Sequence, residues 1–292
     1  MIAGCALVSG DPIGAPAEIP GLVHEFAEMA SLRGWRLVAL HVSDRWLHLY
    51  RARGMRAVPV GDEAVLRPAT FSLEGRKMRK VRQSVARLER EGFTARVAAP
   101  SELDAADRAE ILRVNREWLG RAGDRGFSMA MDDLFAHPEA RFVLGAGPDG
   151  RLGGFLHLVP CLRGYSLGAM RRSPATPNGL MEWLICVCAE RLGEAGAEEL
   201  SLNFAVFAAA LRAGPGSPAW LRAARVVVVR LDRLFQLDRL YSFNRKFLPE
   251  WRTRYVCFER LVDVPVLSMA TLHAESLIPV PALPRPTLRT DA

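Results

Sequence analysis

Three stretches of this sequence concentrate side chains able to act on a charged substrate. In the first, Arg76, Lys77, Arg79, Lys80, Arg82, Arg87 and Arg90 share their segment with a single acid, Glu89. Met78, Val81, Val85 and Leu88 recur there at spacings of three, four and three. That period predicts a helix docked through an apolar stripe, with Arg76, Lys80, Arg87 and Arg90 projecting elsewhere. Cations along a track bind phosphates without reading a base sequence; a simple solvated helix face shows the same run.

The second stretch, LYSFNRKFLPEWRTRY at 240–255, interleaves Tyr241, Phe243, Phe247, Trp251 and Tyr255 with Arg245, Lys246, Arg252 and Arg254. Rings beside cations suit a flipped terminal base or a phosphate, and equally a helix packed through its aromatics. The third, GAMRRSPATPNGLMEW at 168–183, ends a strand with Arg171 and Arg172 and opens a helix at Asn178-Gly179. The amides of a helix N-terminus make a ready anion site. Glu182 falls in that first turn, where a carboxylate stabilises the dipole whether or not it also moves protons.

None of the six histidines lies in an HExxH or Ser/His/Asp setting, and His157 within FLHLVP reads as a half-buried packing residue. Phosphate loops of the GxxxxGK[ST] or GxGxxG kinds are absent. Cys5, Cys161, Cys186, Cys188 and Cys257 are scattered without CxxC spacing, which argues against a disulfide framework and a zinc site. Reduced thiols in a cytoplasm are the expectation.

These groups need a scaffold, and the pattern of apolar runs describes one. The first sixty residues alternate strand and helix: CALVSG, a helix from Ala17 to Leu32, RLVALHV, a helix from Asp44 to Ala52, then MRAVPV. Gly34 and Gly54 stand where those helices stop. A second unit starts at Phe93 with FTARVAA, followed by Ser101 as N-cap of a run to Trp118. RFVLGA and RLGGFLHLVP flank the turn GPDG as a hairpin. RGYSLGAMR, a helix from Leu180 to Leu192, and AEELSLNFAVF complete the unit.

Composition bounds the class. Of 292 residues, 50% are hydrophobic and 24% charged, which excludes a disordered or fibrous chain. No apolar run reaches the ~18 residues of a membrane span; Leu180 to Leu192 carries Glu182, Glu190 and Arg191. The N-terminus has no basic region before its short apolar stretch, so it reads as a buried strand and not a signal. The net charge of +7 permits a polyanionic partner. Only Lys77, Lys80 and Lys246 are lysines among 39 Lys and Arg residues, which points to sites where a compact ammonium is needed.

The order strand, helix, hairpin, strand, helix, strand resembles the GNAT acyltransferase fold, and the first sixty residues look like the back half of a second copy. The expected class is therefore α/β (α+β), with tandem GNAT-like folds, the first without its leading strands. The expected partition is a partial unit at 1–74, a basic linking helix at 75–92, a catalytic unit at 93–275 and a disordered proline-rich tail at 276–292. The Gly-rich pyrophosphate loop of CoA-using GNAT enzymes is missing, which implies another acyl donor.

VSGDPIG, GRKMRKVRQSVARLEREGF, GFSMA, MRR followed by PNGLMEWL, SLNFAVF and LYSFNRKFLPEWRTRY occur in this order. Together they resemble the soluble catalytic domain of phosphatidylglycerol lysyltransferases in its actinobacterial form, over residues 7 to 275. The resemblance implies aminoacyl transfer from aminoacyl-tRNA to a lipid hydroxyl, with no CoA and no metal as cofactor. It also implies binding to an anionic lipid or membrane surface, but not to DNA, and a cytoplasmic location at the inner face of the membrane. Carried over by motif, Lys246 and Arg171 hold the oxyanion or the terminal adenosine phosphate, and Arg254 supports them. Glu182 or Asp232 relays the acceptor proton, while Asn203, Asn178 and Arg172 bind substrate. The tRNA-binding set is Arg76, Lys77, Arg79, Lys80, Arg82, Arg87 and Arg90.

One departure stands out: the family's acid three positions before the first arginine of its MR motif is Gly168 here. The family's membrane-embedded region is also not in this sequence, so a freestanding paralogue or an excised catalytic domain is expected. Two other readings stay open, transfer to a small-molecule amine or hydroxyl and an inactive module that binds tRNA or membrane.

Overall fold

A computed structural model describes residues 4–120, 134–206 and 237–274. Nine strands form one sheet in the order β1-β2-β9-β3-β8-β7-β6-β5-β4. The strands are β1 (Cys5–Ser9), β2 (Arg36–Ser43), β3 (Arg56–Leu66), β4 (Thr94–Ala98), β5 (Arg141–Ala146), β6 (Leu152–Cys161), β7 (Gly164–Arg172), β8 (Glu199–Val206) and β9 (Glu250–Phe258). The helices are α1 (Ile19–Leu32), α2 (Asp44–Ala52), α3 (Arg79–Arg90), α4 (Ala105–Leu119), α5 (Leu180–Glu194), α6 (Leu237–Asn244) and α7 (Val264–Ala274).

The six strands β1-β2-β9-β3-β8-β7 read in the same order when β1, β2 and β3 are exchanged with β7, β8 and β9, and β6-β5-β4 extend the sheet beyond β7. β1-α1-β2-α2-β3 and β7-α5-β8-α6-β9 are thus two copies of one unit, related by a pseudo-two-fold. In each copy the first two strands are parallel, and the last strand crosses to the other copy. β9 pairs antiparallel with both β2 and β3, so the unit read as 93–275 supplies a strand inside the sheet of the first sixty residues.

Apolar alternation places a core on each side of this sheet. α1 and α2 bury Ile19, Val23, Ala27, Leu47 and Tyr50 against Leu37, Ala39 and Val42 of β2. α7 covers the other face of the same strands through Leu267 and Ala270. In the second unit α5 is buried along its length and packs with α3 over β6, β7 and β8, while α4 packs Ile111 and Val114 on the opposite face.

The stripe expected on α3 is buried as read: Met78, Val81 and Leu88 are sunk in the core and Val85 is half-buried. Two helix starts differ from the sequence reading. The cap of α4 is Asp104, not Ser101: Asp104 accepts from the Asp107 amide at 2.8 Å, and Asp107 accepts from the Asp104 amide at 3.3 Å. This reciprocal box outcompetes Ser101, which lies in a short 3-10 turn instead. α1 begins at Ile19, not Ala17, with Pro20 in its first turn, where the missing N–H is not needed.

Candidate active site

The two copies differ where their parallel strands end. β1 and β2 pair over five residues, from Cys5 with Arg36 to Ser9 with Leu40, and Gly10 N–H continues the ladder onto Leu40 O at 2.9 Å. β7 and β8 pair over three, Gly164 with Glu199, Tyr165 with Leu200 and Ser166 with Ser201. β7 then runs on to Arg172 and β8 to Val206 without further rungs between them among the described residues. A cleft opens there.

Asn203 stands at its apex with φ of 71°, a left-handed conformation that asparagine tolerates better than most residues. Its N–H donates to Ser201 Oγ at 3.2 Å, its Nδ2 to Leu167 O at 3.2 Å, and its Oδ1 accepts from Phe204 N–H at 2.7 Å. Asn244, at the end of α6 and 1% exposed, donates Nδ2 to Leu202 O at 3.3 Å. The sequence reading missed Asn244; its only signal was a polar residue inside the aromatic segment.

α5 begins beside this region. Gly179 caps it with φ of 93°, and a Cβ there would lie 2.9 Å from Ser84. Only glycine lets α3 come so close. Arg87 fastens the contact by donating to Asn178 O. One turn into α5, Glu182 accepts from Lys246 Nζ at 2.8 Å, joining two residues that the sequence singled out separately. Their side chains are 16% and 45% exposed respectively, and the ammonium also sits 5.1 Å from the centre of the Phe243 ring, a cation–π distance. Phe243 and Phe247 meet edge to face at 5.4 Å and Tyr241 tilts on Trp251 at 5.0 Å.

Not every expected site residue reaches this place. Arg254 lies in the seam between the copies, where it pairs with Glu63 and, at 3.1 Å, with Asp11. Burial opposes its charge, yet the two carboxylates outweigh burial and raise its pKa further. Arg171 turns toward α4, its Nε donating to Asn115 Oδ1 at 3.2 Å. Arg172 reaches Thr176 O at 3.4 Å within the β7–α5 loop. Asp232 lies outside the described residues.

The seven cations of the basic segment also divide. Arg82 donates to Leu73 O, Arg87 to Asn178 O and Arg90 to Ala86 O. Arg76, Lys77, Arg79 and Lys80 are exposed and carry no ion pair among the described residues. The unneutralised charge therefore gathers at the start of α3, one and two turns before Ser84 and Arg87 meet the N-terminus of α5.

His157 is more deeply buried than expected, 4% exposed, with its ring 5.0 Å from Phe142. Burial, aided by His137, pushes its pKa down to about 4. The β6–β7 register shifts beside it, and a Cβ on Gly168 would sit 2.9 Å from His157 Nδ1. That contact explains glycine at 168: any side chain there, an acid included, displaces the imidazole.

A sheet whose parallel strands part beside a helix N-terminus, in two fused copies, is the GNAT-like architecture of acyltransferases. A family model described as "Phosphatidylglycerol lysyltransferase, C-terminal" matches residues 2–258, and the chain belongs to that family. It is 36% identical over 287 residues to the lysylphosphatidylglycerol biosynthesis bifunctional protein LysX of Rhodococcus jostii (strain RHA1), covering 97% of this chain and 26% of that one. The LysX protein of Mycobacterium tuberculosis (strain F11) is also 36% identical, with 95% and 24% covered. The chain thus spans about a quarter of the length of these relatives.

Among solved structures, L-PGS from Bacillus licheniformis superposes with a TM-score of 0.83 at 25% identity, covering 95% of this chain and 85% of that one. The C-terminal domain of a lysylphosphatidylglycerol synthetase from Agrobacterium fabrum shares the fold, with a TM-score of 0.79 at 24% identity and the same coverage, 95% and 85%.

Proposed function

We propose that this chain transfers an aminoacyl group from aminoacyl-tRNA to a hydroxyl of a phosphatidylglycerol-type lipid. The relatives named for lysylphosphatidylglycerol biosynthesis support the lipid product. The observation that carries the donor is the cluster Arg76, Lys77, Arg79 and Lys80, without an ion pair among the described residues, which leads into and opens a helix whose next turns touch the mouth of α5. A tRNA acceptor stem tracked by those cations delivers its ester end toward the cleft between β7 and β8.

An aminoacyl ester is already activated, so the protein's task is to hold it against the acceptor and stabilise the tetrahedral oxyanion. The lipid hydroxyl oxygen forms a bond to the ester carbonyl carbon, the bond to the ribose oxygen breaks, and the hydroxyl proton passes to that ribose oxygen. Lys246 supplies the positive charge for the oxyanion, and Glu182, hydrogen-bonded to it, relays the proton. CoA has no part in this reading: the β7–α5 loop carries no Gly-rich run and closes on itself through Thr176 Oγ1 to Ser173 O at 2.7 Å. No helix among the described residues is long and apolar enough to cross a membrane, and the chain works peripherally at the membrane's inner face.

The test is incubation of the purified protein with a mixture of charged tRNAs and phosphatidylglycerol vesicles, followed by mass spectrometry of the lipids. An aminoacylated lipid is expected, and acetyl-CoA should yield no acylated product. Aminoacylation of an added soluble amine but never of lipid would reassign the acceptor, and no product from any charged tRNA would refute the reading.

A further inference from the structure

The cleft between β7 and β8 is held open by two side chains, and the first copy of the unit shows what happens without them. In a parallel pair each rung joins a backbone N–H to a backbone carbonyl across the strands. At the first missing rung Asn203 withholds its backbone N–H, which goes to Ser201 Oγ, and presents its side-chain amide to Leu167 O instead. A carboxamide in place of a backbone N–H separates the strands by the length of that side chain. Across the gap, Leu202 O is taken by Asn244 Nδ2, and Asn244 is buried.

The pseudo-equivalent of Asn203 is His41. Both sit in a bulge of the second strand of their copy, between Ala39 and Val42 in one and between Ser201 and Phe204 in the other. Both have positive φ, 60° and 71°. The His41 imidazole meets Ser9 Oγ across the pair at 3.4 Å and lies 4.5 Å from the Phe204 ring, while the Leu40 carbonyl stays with the backbone of Gly10. That pair stays zipped. The same bulge therefore yields a closed pair or an open one according to the side chain it carries.

We propose that Asn203 and Asn244 are positioning residues that wedge β7 from β8, so that the cleft is a preformed seat for the ester end of the donor. The proposal rests on the reading of that cleft as the donor's seat. It assigns Asn203 to the scaffold of the seat, since both ends of its carboxamide are bonded to backbone.

The experiment uses Asn203→Gly, which keeps the positive φ and removes the amide, and Asn244→Asp, which keeps the shape and removes the donor. Hydrogen exchange of the full chain, read by mass spectrometry over residues 167–172 and 202–206, should slow at least tenfold in Asn203→Gly as the strands pair. Unchanged or faster exchange would overturn the wedge. In transfer assays with lysyl-tRNA and phosphatidylglycerol vesicles, both variants should raise the donor KM at least tenfold while kcat stays within threefold. An unchanged KM in folded variants would overturn the positioning role. If the wild-type protein transfers nothing from any charged tRNA, the functional reading fails, while the exchange measurement still decides the wedge.

Discussion

The closed pair of β1 and β2 and the open pair of β7 and β8 are built from the same unit, yet different groups stand beside them among the described residues. Next to the open pair stand Glu182 and Lys246, the N-terminus of α5 and, before and at the start of α3, cations without an ion pair among the described residues. At the closed pair, the charged groups are spent on one another: Arg254 bridges Glu63 and Asp11, and Asp11 also accepts from Ser43 N–H at 2.8 Å. The seam beside the closed pair is a brace to which both copies contribute, and in the function proposed above the open pair is the site. A duplicated fold provides the comparison internally, because both copies share the parallel pair, the bulge in its second strand and a positive φ within that bulge.

The sharpest way to break the brace is Arg254→Ala. It leaves two mostly buried carboxylates without their cation, and losing one partner of such a cluster costs about 3 kcal/mol or more. Chemical denaturation should show that loss as a lower midpoint, and a stability within 0.5 kcal/mol of wild type, a value typical of ordinary surface changes, would place Arg254 outside the brace. Removing charge from the basic segment that leads into α3 acts on affinity instead. Replacing Arg76, Lys77 and Lys80 by Ala should weaken tRNA binding and flatten its dependence on salt by about one counterion per lost phosphate contact, with thermal stability little changed. A salt slope equal to wild type would return α3 to a solvated face.

A smaller effect, read by pH, concerns two imidazoles, His157 buried and His41 half-buried. His41 and His157 are each pushed down to about 4, chiefly by burial, against about 6.5 when unfolded. The folded state thus binds fewer protons, so their stability contribution is complete above pH 6.5 and is lost as pH falls from 6.5 toward 4. His157→Phe should make the stability curve flatter in that window by roughly 1 kcal/mol per pH unit. A slope identical to wild type would show that His157 titrates normally. The smallest change is Ser101→Ala, which should leave stability within about 0.5 kcal/mol, whereas Asp104→Ala should cost about 1 kcal/mol; equal losses would mean that the two residues share the cap.

Much of the scaffold was legible because burial follows period. The α3 stripe, the β5–β6 hairpin around Asp149-Gly150 and the strand order of the second unit all follow from local pattern. The seam was not. β9 lies between β2 and β3 through pairings about two hundred residues apart in sequence, and nothing in an alternating strand names its neighbour. The α4 cap was misread because Ser101 and Asp104 both make good caps, and only the reciprocal bond from Asp107 decides between them. Within the site, Lys246 and Glu182 were each visible as residue types, but their pairing across 64 residues required the fold. Asn203 drew notice as a substrate ligand, whereas its bonds to Leu167 and Phe204 make it part of the strand geometry.

In the function proposed above, chemistry belongs to the open copy, at the Lys246 ammonium. Single-turnover transfer from saturating charged tRNA measures it most directly, comparing wild type with Lys246→Ala and Lys246→Arg. A compact ammonium paired to Glu182 and set against the Phe243 ring cannot be replaced by a longer planar fork. Both variants should therefore lose roughly 3 kcal/mol of transition-state stabilisation, a hundredfold or more in rate, with tRNA affinity within a few fold of wild type. A near-wild-type rate in Lys246→Arg would contradict the account.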